Sequence, residues 1–200
     1  MDIKGKKVTI IGCKKSGVGT AKLVKKLKGI PFVSEFSNDK KLHPFIEEIK
    51  KEEIDFEIGG HSERVFDTTL IVVSPGVPSD SEVIKEAKKR GIKIISEVEF
   101  ASIFCKGKII AITGTNGKTT TTSLIGHLLN NAGIRSYVAG NIGIIAFSEI
   151  ALNVKENEVV VLEVSSFQLD FIETFKPFIS MILNITPDHL NRYENSFEKY

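Results

Sequence analysis

Lys108-Ile109-Ile110-Ala111-Ile112-Thr113-Gly114-Thr115-Asn116-Gly117-Lys118-Thr119-Thr120 is the stretch that decides the fold class. Its first six residues are mostly apolar and β-branched, which reads as a buried strand. A loop bounded by two glycines follows. A helix is then predicted over Lys118–Asn130. Strand, glycine-rich loop and helix N-terminus in that order form a phosphate cradle. Loop N–H groups point inward at phosphate oxygens, and the positive end of the helix dipole adds to the attraction. Gly114 and Gly117 let the backbone approach without a Cβ in the way. Lys118 is placed to neutralise β/γ-phosphates, and the Thr119 hydroxyl to ligate Mg²⁺. Ile112 stands where the longer form of the pattern has its first glycine, so this is the short Gly-x-x-Gly-Lys-Thr form. Residues Gly114, Thr115, Asn116, Gly117, Lys118, Thr119 and Thr120 are therefore expected to hold a nucleoside triphosphate, ATP first among them. A tight turn with a surface lysine is the competing reading.

Outward from this loop, strands and helices alternate. Upstream, strands are predicted over Lys7–Ile11, Ile30–Phe36, Phe56–Ile58, Leu70–Val73 and Lys93–Ile95. Helices are predicted over Thr20–Lys28, Phe45–Lys51, Ser81–Arg90 and Glu97–Phe104. Downstream, strands are predicted over Arg135–Ala139, Glu158–Val164 and Met181–Ile185, with a loop and helix over Asn141–Ser148. The alternation predicts an α/β fold of parallel sheets covered by helices on both faces. The pattern restarts after Cys105-Lys106-Gly107. That predicts two successive domains, 1–105 and 106–200.

Composition narrows the class. The chain has 200 residues, 42% of them apolar, with net charge +2. Residues 1–105 hold 19 basic and 16 acidic side chains, against 8 and 9 in the remainder. That reads as a charge-mixed solvated surface, so no nucleic-acid partner is expected. No apolar run is long enough to span a bilayer, so no membrane partner is expected either. The N-terminus lacks a signal-peptide layout. The two cysteines, Cys13 and Cys105, have no metal spacing, which fits a reducing cytoplasmic setting.

Three further segments carry chemistry. Val159-Val160-Val161-Leu162-Glu163 ends a very apolar strand in a carboxylate, at the sheet edge where the phosphate loop lies. Glu163 there is either an Mg²⁺ ligand or an ordinary strand-end acid. Asn184-Ile185-Thr186-Pro187-Asp188-His189 brings Asp188 and His189 to the same edge. His189 is a metal ligand, a polar anchor or a surface loop residue. His43, His61 and His127 lack partner spacing and read as structural. Gly12–Gly19 follows the first strand and resembles a dinucleotide fingerprint, but Lys14 occupies the place of its second glycine. Glu35, at the end of the next strand, is placed to accept from a ribose or base. A nucleotide-like ligand and a plain strand–helix turn both remain open.

Ala111–Thr121 resembles the ATP loop of the Mur ligase family, and Gly140-Asn141-Ile142-Gly143 resembles that family's next motif. Leu162-Glu163-Val164-Ser165-Ser166-Phe167-Gln168-Leu169 and Asn184–Arg192 resemble the member that adds D-glutamate, with Asn191 where an Asp is common. The resemblance covers the whole chain. It implies a Rossmann-like N-terminal domain followed by part of a P-loop-type ATP-binding domain. It implies an ATP- and Mg²⁺-dependent amide ligase of peptidoglycan precursor synthesis, cytoplasmic and monomeric. The substrates implied are UDP-N-acetylmuramoyl-L-alanine and D-glutamate, joined through an acyl phosphate.

By the same resemblance Lys118, Glu163, His189 and Asn141 are the catalytic set. Thr119 and Glu163 hold one Mg²⁺ and His189 a second. Lys15, Ser16, Gly17, Glu35, Phe36, Ser37, Ser74, Pro75 and Gly76 bind the uridine diphosphate, while Asn141, Ser165 and Gln168 line the substrate side. Lys14 replaces a family glycine and Ser37 a basic residue. The family also implies a metal-bridging lysine and a further domain beyond Tyr200, so the chain reads as an N-terminal portion, inactive alone. Another ligase of the family, a folylpolyglutamate-type ligase and a binding-only UDP-sugar module are the alternatives.

Overall fold

The computed structural model describes residues 1–142 and 145–200. The first half forms β1 (Lys7–Ile11), α1 (Lys15–Lys26), β2 (Ile30–Glu35), α2 (His43–Lys51), β3 (Asp55–Ile58), β4 (Leu70–Val73), α3 (Glu82–Lys89), β5 (Ile94–Ser96) and α4 (Glu97–Ser102). The second half forms β6 (Lys108–Thr113), α5 (Lys118–Asn131), β7 (Ser136–Gly140), α6 (Phe147–Ile150), β8 (Val159–Glu163), α7 (Ser166–Leu169) and β9 (Ile179–Ile182).

Two parallel sheets result, ordered β3-β2-β1-β4-β5 and β7-β8-β6-β9. Both are covered on two faces, as continuous apolar strands require. Along β4, Leu70 and Val72 enter one buried cluster, while Ile71 and Val73 enter another on the opposite face. Along β6, Ile109 and Ala111 face one way and Ile110 and Ile112 the other. One cluster runs through both halves: Val8, Ile10 and Val72 join Ala111, Val160 and Leu162 through Val98, Phe100, Ala101 and Phe147. Phe100 and Phe147 are fully buried, each contributing about 1.5–3 kcal/mol of transfer free energy.

The strand order reverses direction at β1/β4 in the first sheet, and β6 lies between β8 and β9 in the second. Ligand crevices form at such switch points, outside the carboxyl ends of the strands. Among the described residues no helix is long and apolar enough to cross a membrane.

Several boundaries depart from the sequence reading, two of them by more than one or two residues, and one helix is new. Helix α1 starts at Lys15, five residues before the predicted Thr20. Gly17 and Gly19 suggested a loop there, yet both lie inside the helix because side chains would collide. A Cβ on Gly17 would fall 1.8 Å from Gly12 O, and one on Gly19 would fall 2.7 Å from Ser148 Oγ. Strand β9 is set back from the predicted Met181–Ile185, since the chain leaves the sheet at Leu183 to reach the phosphate loop. Helix α7 was not anticipated. It is one turn held by a capping box between Ser165 and Gln168.

Candidate nucleotide and substrate site

The loop after β6 is tightly determined. Gly114 has φ +138° and Gly117, the N-cap of α5, has φ +83°, both in the region that favours glycine. A Cβ on Gly114 would lie 3.0 Å from Asn184 O. Asn184 brackets the loop: its Oδ1 accepts from the Asn116 N–H at 2.9 Å, and its Nδ2 donates to Asn116 O at 2.9 Å. The Thr115 hydroxyl donates to Thr186 O at 3.0 Å and accepts from the Thr186 N–H at 2.9 Å. The segment after β9 was singled out for Asp188 and His189, but Asn184 and Thr186 are what hold the loop. The signal available was position: both follow directly on an apolar strand next to β6.

Lys118 Nζ donates to Gly114 O at 2.6 Å and Thr115 O at 2.8 Å. The ammonium therefore sits over the loop mouth. One residue on, Thr119 Oγ1 donates to Glu163 Oε2 at 2.8 Å. Asn141 Nδ2 donates to Glu163 Oε1 at 3.3 Å. Glu163 is only 2% exposed. A carboxylate so buried, with two neutral hydrogen-bond partners, is suited to a cation. The hard oxygens of Thr119 and Glu163 fit Mg²⁺.

His189, expected to ligate a second Mg²⁺, lies on the exposed segment after β9. Among the described residues no three His, Cys, Asp or Glu side chains converge on a metal position. The His189 ring instead packs edge-on against Phe167 at 5.4 Å, with Asp188 Oδ2 3.7 Å from Nε2.

A cavity of about 610 Å³ opens at the carboxyl ends of β1, β2 and β4. Of the expected uridine-diphosphate residues it is lined by Lys15, Ser16, Glu35, Phe36, Ser74, Pro75 and Gly76, and by Asn141 from the second sheet. Glu35 accepts from the Cys13 N–H at 3.0 Å and the Ser37 N–H at 2.9 Å. Ser37 thus shapes the strand end without lining the cavity. Gly17 packs against Gly12 and lines nothing. Ser165 and Gln168 are spent in the cap of α7, where Gln168 Oε1 accepts from the Ser165 N–H at 3.0 Å. Gln168 is 2% exposed and so takes a shaping role.

His61 was read as structural, yet it lines the cavity. Its Nδ1 lies 2.7 Å from Ser34 Oγ, and its ring stands 5.8 Å from Phe36, which is 74% exposed. Burial lowers the His61 pKa below its ordinary value, against the opposing pull of Glu57 and Glu35. No spacing in the sequence marks His61, because β3 and the turn after it bring it in. Gly143, in the second family motif, lies outside the described residues.

Two family models match: residues 6–96 match the Mur ligase MurD-like N-terminal domain, and residues 112–200 match the Mur ligase middle domain. The chain belongs to the Mur ligase family. This Mur ligase chain is 44% identical over 204 residues to the UDP-N-acetylmuramoylalanine–D-glutamate ligase of Salinibacter ruber. It is 47% identical over 204 residues to the ligase of that name from Thermoanaerobacter pseudethanolicus. Each match takes in 100% of this chain and 44% of the relative, so the chain spans less than half the length of the curated relatives. Among solved structures, the UDP-N-acetylmuramate-alanine ligase of Thermotoga maritima superposes with TM-score 0.60 at 25% identity, over 98% of this chain and 45% of that one. The UDP-N-acetylmuramate:L-alanyl-gamma-D-glutamyl-meso-diaminopimelate ligase of Neisseria meningitides gives the same TM-score, 0.60, at 18% identity over 97% of this chain and 67% of that one, which supports the fold alone.

Proposed function

We propose that the protein carrying this chain is an ATP-dependent ligase that joins D-glutamate to UDP-N-acetylmuramoyl-L-alanine. Asn141 carries the reading. It lines the cavity of the first sheet and donates to Glu163 behind the phosphate loop of the second. One side chain therefore links the cavity to the carboxylate beside the loop. The choice of substrates follows the names of the relatives, which are D-glutamate ligases.

On this reading residues 1–105 hold the uridine diphosphate and residues 106–200 form part of the ATP-binding domain. The loop amides and Lys118 bind the β/γ-phosphates. Thr119 and Glu163 would hold Mg²⁺, which when bound neutralises phosphate charge. Asn141 orients the substrate between cavity and loop, and His189 would ligate a second Mg²⁺ from the loop-clamping segment. A substrate carboxylate oxygen attacks the γ-phosphorus and ADP leaves. The amine of D-glutamate then attacks the acyl carbon, and phosphate departs with that oxygen. Positioning and electrostatics supply the catalysis.

The full-length protein, given ATP, Mg²⁺ and UDP-N-acetylmuramoyl-L-alanine, is expected to release phosphate with D-glutamate. Release with another amino acid and none with D-glutamate would assign the chain to a different ligase of the family.

A further inference from the structure

We propose that Arg192 is a positioning residue that locks the wall of the nucleotide cavity to the segment carrying His189, using Phe167 as its platform. The inference rests on the ligase reading above.

Arg192 ends a short 3₁₀ turn, Leu190–Arg192, in the second half of the chain. Its guanidinium reaches across to the first half. Nη1 donates to Pro75 O at 3.2 Å and Nη2 to Gly76 O at 2.8 Å. Both carbonyls belong to the turn after β4, and that turn lines the cavity. The guanidinium lies over the Phe167 ring, its Cζ 4.1 Å from the ring centroid. Phe167 also meets His189 edge-on at 5.4 Å and stacks on Tyr193 at 6.1 Å. The chain of contact thus runs from cavity wall to guanidinium, to aromatic ring, to imidazole.

The Phe167 platform is itself fixed. It stands on α7, whose capping box begins two residues after Glu163. Asp170, one turn along, faces the same cation: burial raises its carboxyl pKa and Arg192 pulls it back.

The chemistry requires arginine. Two carbonyls at one edge and an aromatic face below need a planar fork with several donors, and a lysine ammonium cannot satisfy both. Stability does not require such a link, because the halves are joined elsewhere by a shared buried core. At the mouth, by contrast, a hydrogen-bonded tie between Pro75-Gly76 and the His189 segment sets the distance between two ligand positions. Misplacement there by about 1 Å costs on the order of 100-fold in rate.

The test uses the full-length protein and compares Arg192→Met and Arg192→Lys with wild type. Both variants are expected to keep the KM for ATP within about twofold and to lose on the order of 100-fold in kcat. The KM for the uridine substrate should rise about tenfold. Arg192→Lys, which keeps the charge, should fail to restore kcat. Thermal melts of all three proteins exclude global unfolding, and UDP titration reads the cavity without turnover. Wild-type kcat in either variant would overturn the proposal, as would equal losses in both KM values. A wild-type protein that turns over no uridine substrate would instead sink the ligase reading.

Discussion

Three side chains, Thr119, Glu163 and Asn141, meet although 44 and 22 residues of sequence separate the first and last from Glu163. Each sits at the end of its own element, so parallel-strand register brings them together: Ile112 pairs Glu163, and Gly140 pairs Glu163 from the other side. The same register explains why the pairing of Thr119 with Glu163 was legible from sequence, since the loop and helix start after β6 and the end of β8 were both recognisable. The role of His61 was not, because its partners Ser34 and Glu57 lie on neighbouring strands. Thr119→Val deletes the hydroxyl that Glu163 accepts from and one oxygen of the proposed Mg²⁺ set. In Mg²⁺ titrations of full-length turnover, the concentration for half-maximal rate should rise about tenfold or more, equivalent to roughly 1.4 kcal/mol. An unchanged Mg²⁺ dependence would remove Thr119 from the metal set.

At the scale of elements, glycines set how closely helices approach their neighbours. Gly17 lies in α1, where an alanine ordinarily gains about 1 kcal/mol of helix propensity. Here a Cβ would meet the Gly12 carbonyl at 1.8 Å, a backbone atom that has no rotamer to change. The collision outweighs the propensity gain, since overpacking typically costs about 1–3 kcal/mol. Gly17→Ala should therefore lower the urea midpoint of the 200-residue chain, and a raised midpoint would contradict this packing. The same physics explains the misread start of α1. Sequence patterns score glycine as a helix breaker, but the cost of Gly17 and Gly19 is offset by contacts with Gly12 and α6 that no local window contains. The buried strands β4 and β6 were legible to the residue, because continuous apolar runs closed by Ser-Pro-Gly or Gly-Thr leave little choice. The run Ser165-Ser166-Phe167-Gln168 has the spacing of a capping box, and in α7 that is its local function.

Across the whole molecule, α4 joins the halves through two acids that behave in opposite ways. Glu97 Oε1 accepts from the Ser148 N–H at 2.7 Å, while its other oxygen is buried without a hydrogen-bond partner. Burial raises its pKa, and Glu149 nearby adds to the rise. Burial also opposes ionisation of Glu99, but donors from Thr174, Glu173 and Phe175 outweigh it and lower the pKa. The Glu97 contribution is thus greatest in acid and fades as pH rises above the ordinary carboxylate value. The Glu99 contribution is present above that value and fades as pH falls through its lowered folded pKa. Glu97→Gln should accordingly raise stability at pH 7 relative to pH 4, and Glu99→Gln should lower it, both read from urea midpoints. Parallel shifts in the two variants would contradict this assignment. These ties keep the cavity and the phosphate loop in register, and the proposed chemistry depends on that register. The central claim is that the loop activates a substrate carboxylate. The most direct measurement uses UDP-N-acetylmuramoyl-L-alanine labelled with ¹⁸O in that carboxylate, in a full-length reaction with ATP and D-glutamate. Phosphate released should carry one ¹⁸O from each labelled carboxylate; unlabelled phosphate formed alongside amide product would contradict the acyl-phosphate account.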